Sequence, residues 1–350
     1  MNLGADLEME VLLRLRVKSL MRFKCVQRSW NNLIKSPYFV NRRSKLHILE
    51  NPSLLIIEKS RLKLLTCEGG NEKPILIKSF PKYIERIESY GSCNGVFCLK
   101  VIYPDETWRN KLIAWNPTTN EVHHIPRAPS FCGKGFLYGF GAVNDDFKIV
   151  KLNINVTTKM LYPLVEVYNL STKSWKIIYN CPLTMVPHQR PSRYNALVNG
   201  VYHWITRSPQ YNNAPNILCF NFLNNKFQQL QAPNSHHSMP SYCDVIEIKG
   251  SLGYAMQYQN CLYMRLLELE IWVMDQNRWT KKYMIKPDMS IYHMCGLWND
   301  CAEILGGKAG QLLKSYDHHR NKLRQFQIEI PELNHFWIYE FVPSMAPLSK

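Results

Sequence analysis

No window of the 350 residues approaches the roughly 18–20 uncharged apolar residues that a membrane-crossing helix needs. Acidic residues occupy the N-terminal positions where a secretory signal would place its apolar stretch: Asp6, Glu8 and Glu10. A soluble intracellular protein, cytoplasmic and/or nuclear, is therefore expected, with no membrane partner. No Cys-x-x-Cys occurs among the eleven cysteines, and their number is odd. A disulfide framework is a habit of small secreted domains, so reduced and mostly buried thiols are expected. Acidic charge is scarce, with 27 Asp and Glu against 43 Lys and Arg, for a formal charge of +16. That excess admits nucleic acid, an anionic surface or an acidic protein as partner. A composition 46% hydrophobic and only 20% charged excludes a disordered chain.

Catalytic motifs are missing too. There is no P-loop and no Gly-x-Ser-x-Gly elbow. Gly306-Gly307-Lys308-Ala309-Gly310 reads as a hairpin turn, and Gly133-Lys134-Gly135 is followed by Tyr138 rather than by the third glycine of a dinucleotide fingerprint. The pairs His123-His124, His236-His237 and His318-His319 invite a metal reading. Adjacent residues of a strand point to opposite faces and cannot easily ligate one ion, so the pairs are expected as ordinary polar residues at the surface, with no metal or cofactor.

What is present divides the chain in two. Residues 1–45 read as about three short helices. Leu7, Val11, Leu12 and Leu15 fall at helical spacing, and Leu20, Phe23, Val26, Trp30, Leu33 and Ile34 follow Ser19, until Pro37 ends the run. Residues 1–46 carry ten basic and three acidic side chains, interleaved with the apolar pattern rather than massed in a tract. This suits an acidic protein partner better than nucleic acid. So short a helical unit cannot bury a sufficient core by itself and must dock on something else.

From residue 46 to 345 the texture is β-like and repetitive. A strand ending in an aromatic leads through a polar turn to a strand whose first large apolar residue lies seven positions on. The aromatics are Trp115, Tyr168, Phe220, Trp272 and Tyr316, spaced by 53, 52, 52 and 44 residues. They read as core between repeats rather than as a ligand-stacking box. Cys93-Asn94-Gly95-Val96 and Val198-Asn199-Gly200-Val201 supply further hairpins. Two hairpins per period of about 50 make a four-stranded blade, and about 300 residues make six, so a β-propeller is expected. A β-sandwich with coincident spacing is the competing architecture.

Val17-Lys18-Ser19-Leu20-Met21-Arg22-Phe23-Lys24-Cys25-Val26, followed by Ser29-Trp30 and Leu33-Ile34, closely resembles the F-box of plant F-box proteins. Trp115-Asn116-Pro117-Thr118-Thr119, Tyr138-Gly139-Phe140-Gly141 with Asp146-Phe147-Lys148-Ile149-Val150, and Val198-Asn199-Gly200-Val201-Tyr202-His203-Trp204 are similar to the F-box-associated domain. Ile271-Trp272-Val273-Met274 with Trp279, and Ser315-Tyr316-Asp317, resemble the S-locus F-box group. The resemblance implies a non-catalytic substrate receptor of a Skp–cullin–F-box ubiquitin ligase. Its F-box would bind a Skp-type adaptor, and through it cullin and RING subunits. Its β domain would capture a target, with S-ribonucleases of self-incompatibility as one case. On the family pattern Leu3, Leu7, Val11, Leu12, Leu15, Val17, Leu20 and Val26 would face the adaptor, with Phe23 and Trp30 in the F-box core. Where the family has proline, this chain has Gly4 and Arg16. The first helix is therefore expected to run on through Arg16 and to weaken adaptor binding. The alternative is a ligand- or protein-binding propeller whose F-box is inactive. Candidate recognition loops are 129–137, 153–163, 206–216 and 232–241.

Overall fold

The computed structural model describes residues 3–15, 17–36, 38–40, 42–43, 46, 53–66, 74–104, 110–130, 136–143, 146–153, 164–178, 186–187, 197–207, 215–234, 240–260, 265–286, 291–298, 302–331 and 336–348. Three helices come first: α1 (Leu3–Arg14), α2 (Val17–Phe23) and α3 (Arg28–Lys35). The first helix stops at Arg14 without a proline, against the expectation that it would run through Arg16, whose own placement lies outside the described residues. Two contacts account for the stop. Leu15 N donates to Leu12 O at 3.2 Å, a tightened last turn, and the Arg43 guanidinium donates to the Leu13 carbonyl at 2.6 Å. A tertiary hydrogen bond thus serves the helix end that proline would have enforced.

Short strands then build six antiparallel sheets. The first uses β1 (Ser53–Glu58), β2 (Arg61–Thr66) and β3 (Ile75–Ser79), the second β4 (Arg86–Cys93), β5 (Val96–Ile102), β6 (Lys111–Asn116) and β7 (Glu121–Ile125). The third is β8 (Phe136–Val143), β9 (Asp146–Asn153), β10 (Val165–Asn169) and β11 (Ser174–Ile178). In the fourth, β12 (Val186–Pro187) and β13 (Leu197–Val198) share the first position beside β14 (Val201–Arg207), followed by β15 (Pro215–Asn221) and β16 (Lys226–Gln231). The fifth holds β17 (Tyr242–Ile248), β18 (Ser251–Gln259), β19 (Leu266–Asp275) and β20 (Arg278–Ile285). The sixth holds β21 (His293–Trp298), β22 (Glu303–Gly307), β23 (Leu312–Asp317) and β24 (Lys322–Glu329). The last strand, β25 (Phe336–Phe341), returns to pair with β1 along its whole length, from Ser53↔Phe341 to Glu58↔Phe336. That pairing closes a six-bladed propeller and excludes the sandwich.

The core lies between blades, so most strands are covered on both faces and read as nearly unbroken apolar runs. Along β5, Phe97, Leu99 and Val101 pack towards the first blade, whereas Val96 and Cys98 pack towards the third. The repeated aromatics have the same meaning. Trp115, Tyr168, Phe220 and Tyr316 sit on the third strand of their blades, are buried, and pack with residues of the preceding blade. Four of them stand directly opposite the residue seven positions on, in the pairs Trp115↔Val122, Tyr168↔Trp175, Phe220↔Phe227 and Tyr316↔Leu323.

The fifth copy departs from this pattern. Gln276 and Asn277 both have positive φ and form a two-residue turn, so Trp279 pairs with Met274 and Trp272 stands opposite Lys281, and a register shift follows between Ile271 and Trp272. Trp272 is consequently only half-buried. The Asn-Gly turns form as expected, with positive φ at Asn94, Gly95, Asn199 and Gly200. Gly306-Gly307 ends β22, and the following residues turn into β23, as the hairpin reading required.

Candidate functional site: two opposite faces of the propeller

In each meandering blade the first-to-second and third-to-fourth strand turns lie on one face, here called lower, and the other connections lie on the upper face. The chain enters β1 and leaves β25 on the lower face, so the helical unit belongs there. The strand ends flanking the four candidate loops are Ile125/Phe136, Asn153/Val165, Arg207/Pro215 and Gln231/Tyr242, and all of them lie on the upper face. Most of the residues between them lie outside the described set. One end of the molecule presents helices, and the other gathers the long connections.

The helical unit has its own small core of Leu12, Leu13, Leu20, Ile34, Phe39, Val40 and Met345, with Met9, Leu15, Phe23, Trp30, Leu33 and Leu46 packed against it. Phe23 and Trp30 meet edge to face, with ring centroids 5.2 Å apart, and the Trp30 indole donates to Glu8 Oε2 at 3.2 Å. Glu10 bridges Arg14 and Arg42. Of the residues expected to face an adaptor, Leu7, Val11 and Val26 are about 60% exposed, which no internal packing explains. Leu7 and Val11 lie one turn apart on α1 and share a face.

Leu12 and Leu20, expected at the same surface, are 2% and 0% exposed in the chain by itself, because they belong to the helical unit's interior. Leu15 is half-buried against that interior. Leu3 starts α1 and Val17 starts α2, but their side chains lie outside the described residues. Tyr38, 62% exposed, and Met21 on α2 are further large apolar side chains at the surface of the helical unit.

On the upper side of the second blade, an open cleft of about 660 Å³ is lined by Tyr103, Asn110, Lys111, Leu112, His124, Ile125 and Arg127. Asn110 Oδ1 accepts from Tyr103 N at 3.1 Å, and the exposed Tyr83 ring stacks on Tyr103 with centroids 6.2 Å apart. Basic side chains over an apolar floor suit an anionic group carried on an apolar or extended segment. Of the paired histidines, His123 faces Tyr168, with Nε2 3.1 Å from the hydroxyl, while His124 faces solvent. Burial lowers the His123 pKa, and Lys173 and His124 lower it further. The His318 and His319 rings lie tilted against each other, and both meet the Tyr283 ring edge to face. His236-His237 and Gly133-Lys134-Gly135 lie outside the described residues. Among the described residues no cluster of three His, Cys, Asp or Glu could hold a metal, and no helix is long and apolar enough to cross a membrane.

The F-box associated beta propeller domain matches residues 71–341. An F-box/kelch-repeat protein of Arabidopsis thaliana is 26% identical over 256 residues, 66% of each chain. An F-box/LRR-repeat protein of the same plant is 23% identical over 309 residues, covering 80% of this chain and 66% of its own. A third Arabidopsis F-box protein is 26% identical over 317 residues, covering 81% and 74%. The chain thus spans just under two thirds of the length of the first two relatives.

Proposed function

This chain belongs to the plant F-box-associated β-propeller family, and on that premise we propose that it is the substrate-recognition subunit of a Skp–cullin–F-box ubiquitin ligase. The observation that carries the reading is the opposition of the two faces. Leu7, Val11 and Val26 present apolar surface on a basic helical unit below, while the long connections and the basic cleft gather above. Such a molecule works by proximity. A Skp-type adaptor, with cullin and RING subunits behind it, is held at one end and a target at the other, so a target lysine meets activated ubiquitin at high effective concentration. Transfer itself belongs to the other subunits. The cleft chemistry favours an acidic segment of the target.

A pull-down of the full chain with a plant Skp-type adaptor tests the reading. Binding should be retained by the wild type and lost in Leu7→Asp/Val11→Asp, with the melting temperature unchanged. Equal retention of both proteins, or of neither, would overturn it. Gly4 and Arg16 favour a second reading, a binding propeller with an inactive F-box. On that reading the wild type itself fails to bind, and restoring proline at both positions rescues it.

A further inference from the structure

Residues 342–348 run across the lower face of the second blade and reach the helices. Asn116, 0% exposed at the end of β6, uses both ends of its amide. Its Oδ1 accepts from Thr118 N at 2.9 Å and Thr119 N at 3.3 Å, closing the turn. Its Nδ2 donates to Ser344 O at 3.1 Å and Ala346 O at 2.9 Å. Ser344 N donates to Thr118 Oγ1 at 2.9 Å, and Leu348 N to Glu121 Oε2 at 3.0 Å. Gly95 leaves room for this passage, since a Cβ there would stand 2.5 Å from Ser344 Cβ and 2.6 Å from Val342 O. Between these anchors Met345 turns the other way. It is 1% exposed and belongs to the helical core with Leu12, Leu20 and Ile34, while Leu348 returns to the core between the second and third blades. Lys24, just past α2, lies close enough to Glu121 to feel its charge.

The polar residues of Trp115-Asn116-Pro117-Thr118-Thr119 therefore do more than make a turn. Comparable turns at Asn221 and Asp317 also close on their own backbone amides. At Asn116 the amide nitrogen additionally holds a segment more than 200 residues away in sequence.

We infer that residues 342–348 are a strap that completes the helical core through Met345 and positions the adaptor-binding helices on the propeller through Asn116 and Thr118. Adaptor affinity then depends on residues 342–348. The inference deepens the receptor reading and rests on it for its adaptor arm only. A helical unit too small to hold a sufficient core borrows its missing apolar side chain from the far terminus, and the blade turn that grips the strap fixes the orientation between the two faces.

The test uses full-length chains carrying Met345→Asp, Met345→Leu or Asn116→Asp. The last variant keeps the oxygen that closes the turn and replaces the donor aimed at two carbonyls with an acceptor. Hydrogen exchange of residues 3–35 is compared with that of β5, β6 and β9, and adaptor affinity is measured by titration. In Met345→Asp and Asn116→Asp, helix amides should exchange about tenfold faster or more while the strands keep wild-type protection. Adaptor affinity should fall about tenfold in Met345→Asp and stay near wild type in Met345→Leu. Unchanged helix exchange in both polar variants overturns the strap. Should Met345→Asp unfold throughout, Asn116→Asp decides alone. If the wild type binds no adaptor, the receptor reading fails while the exchange comparison still judges the strap.

Discussion

Lys151 Nζ lies 3.0 Å from Glu166 Oε2, and both side chains are buried in the third blade, where the two residues stand opposite each other on β9 and β10. The pair reaches into the upper face. Lys151 also donates to Ser130 O at 2.8 Å, and Glu166 Oε1 accepts from Ser130 N at 2.9 Å. Asn153 Nδ2 donates to Ser130 Oγ at 2.7 Å. One residue of the 129–137 connection is thereby clasped by three buried polar side chains. Removing one partner of such a pair strands the other charge away from water. Glu166→Ala should lower unfolding free energy by about 3–5 kcal/mol in urea titrations, and Lys151→Met/Glu166→Leu should recover a good part of the loss.

The contrast between Leu20 and Leu7 should be visible as two kinds of damage. Leu20 is fully buried in the helical core, so Leu20→Ala should destabilise that unit by about 2–5 kcal/mol and raise its proteolytic sensitivity. Leu7 is exposed, and Leu7→Ala should change stability by no more than about 0.5 kcal/mol. Limited proteolysis of the two full-length variants separates them.

Gly141 on β8 admits the Phe222 ring from the fourth blade. A Cβ there would stand 2.5 Å from two ring carbons, and the ring is completely buried. Gly141→Ala should cost about 1–3 kcal/mol by overpacking, read as a lower urea midpoint with an unchanged slope. Phe222→Leu in the same chain should relieve part of the cost.

Stability should decline on the alkaline side. Burial raises the Cys219 thiol from 9.0 to about 12 and raises Cys98 as well. Burial is also the main cause that lifts the phenols of Tyr90, Tyr202 and Tyr339 above their ordinary 10.0. These acids are neutral in the folded chain where their unfolded counterparts have ionised, so the unfolded state binds fewer protons. The stabilisation from keeping them neutral is complete below pH 9 and is lost as pH rises from about 9 for the thiols and about 10 for the phenols. Each such group removes about 1.4 kcal/mol per pH unit once past its unfolded pKa. Urea midpoints should be flat between pH 7 and about 8.5 and lower by pH 10.5. Cys93→Ala/Cys98→Ala/Cys219→Ala, which removes all three thiols that burial raises, should delay the onset towards the phenol range.

Much of the propeller was legible because its signals are local. An aromatic followed by an Asx-type turn marks the third strand of a blade whatever the blade packs against, and Asn-Gly forces a tight turn from its own φ preferences. The fifth copy shows where that reading stops. The seven-residue spacing from Trp272 to Trp279 survives, yet a shorter turn gives it a different pairing. Sequence spacing counts residues and not ladder partners. Two tryptophans also carry a signal that spacing does not register. Trp175 and Trp279, on the fourth strands of their blades, donate to Pro126 O at 2.9 Å and Gln231 O at 2.8 Å, each at the exit of the preceding blade.

The sequence alone was enough to mark the repeated hairpins of five of the six blades, some of the chain's turns, and a short helical unit ahead of a repeated β domain, since each follows from residues within a few positions of one another. Only the tertiary structure decided that β25 closes the ring on β1, that Leu12 and Leu20 turn inward while Leu7 and Val11 stay outside, and that Met345 completes a core begun at Leu12. Burial is a property of a side chain and the surface that covers it. Here the covering residues come from the opposite end of the chain, where no local pattern could announce them.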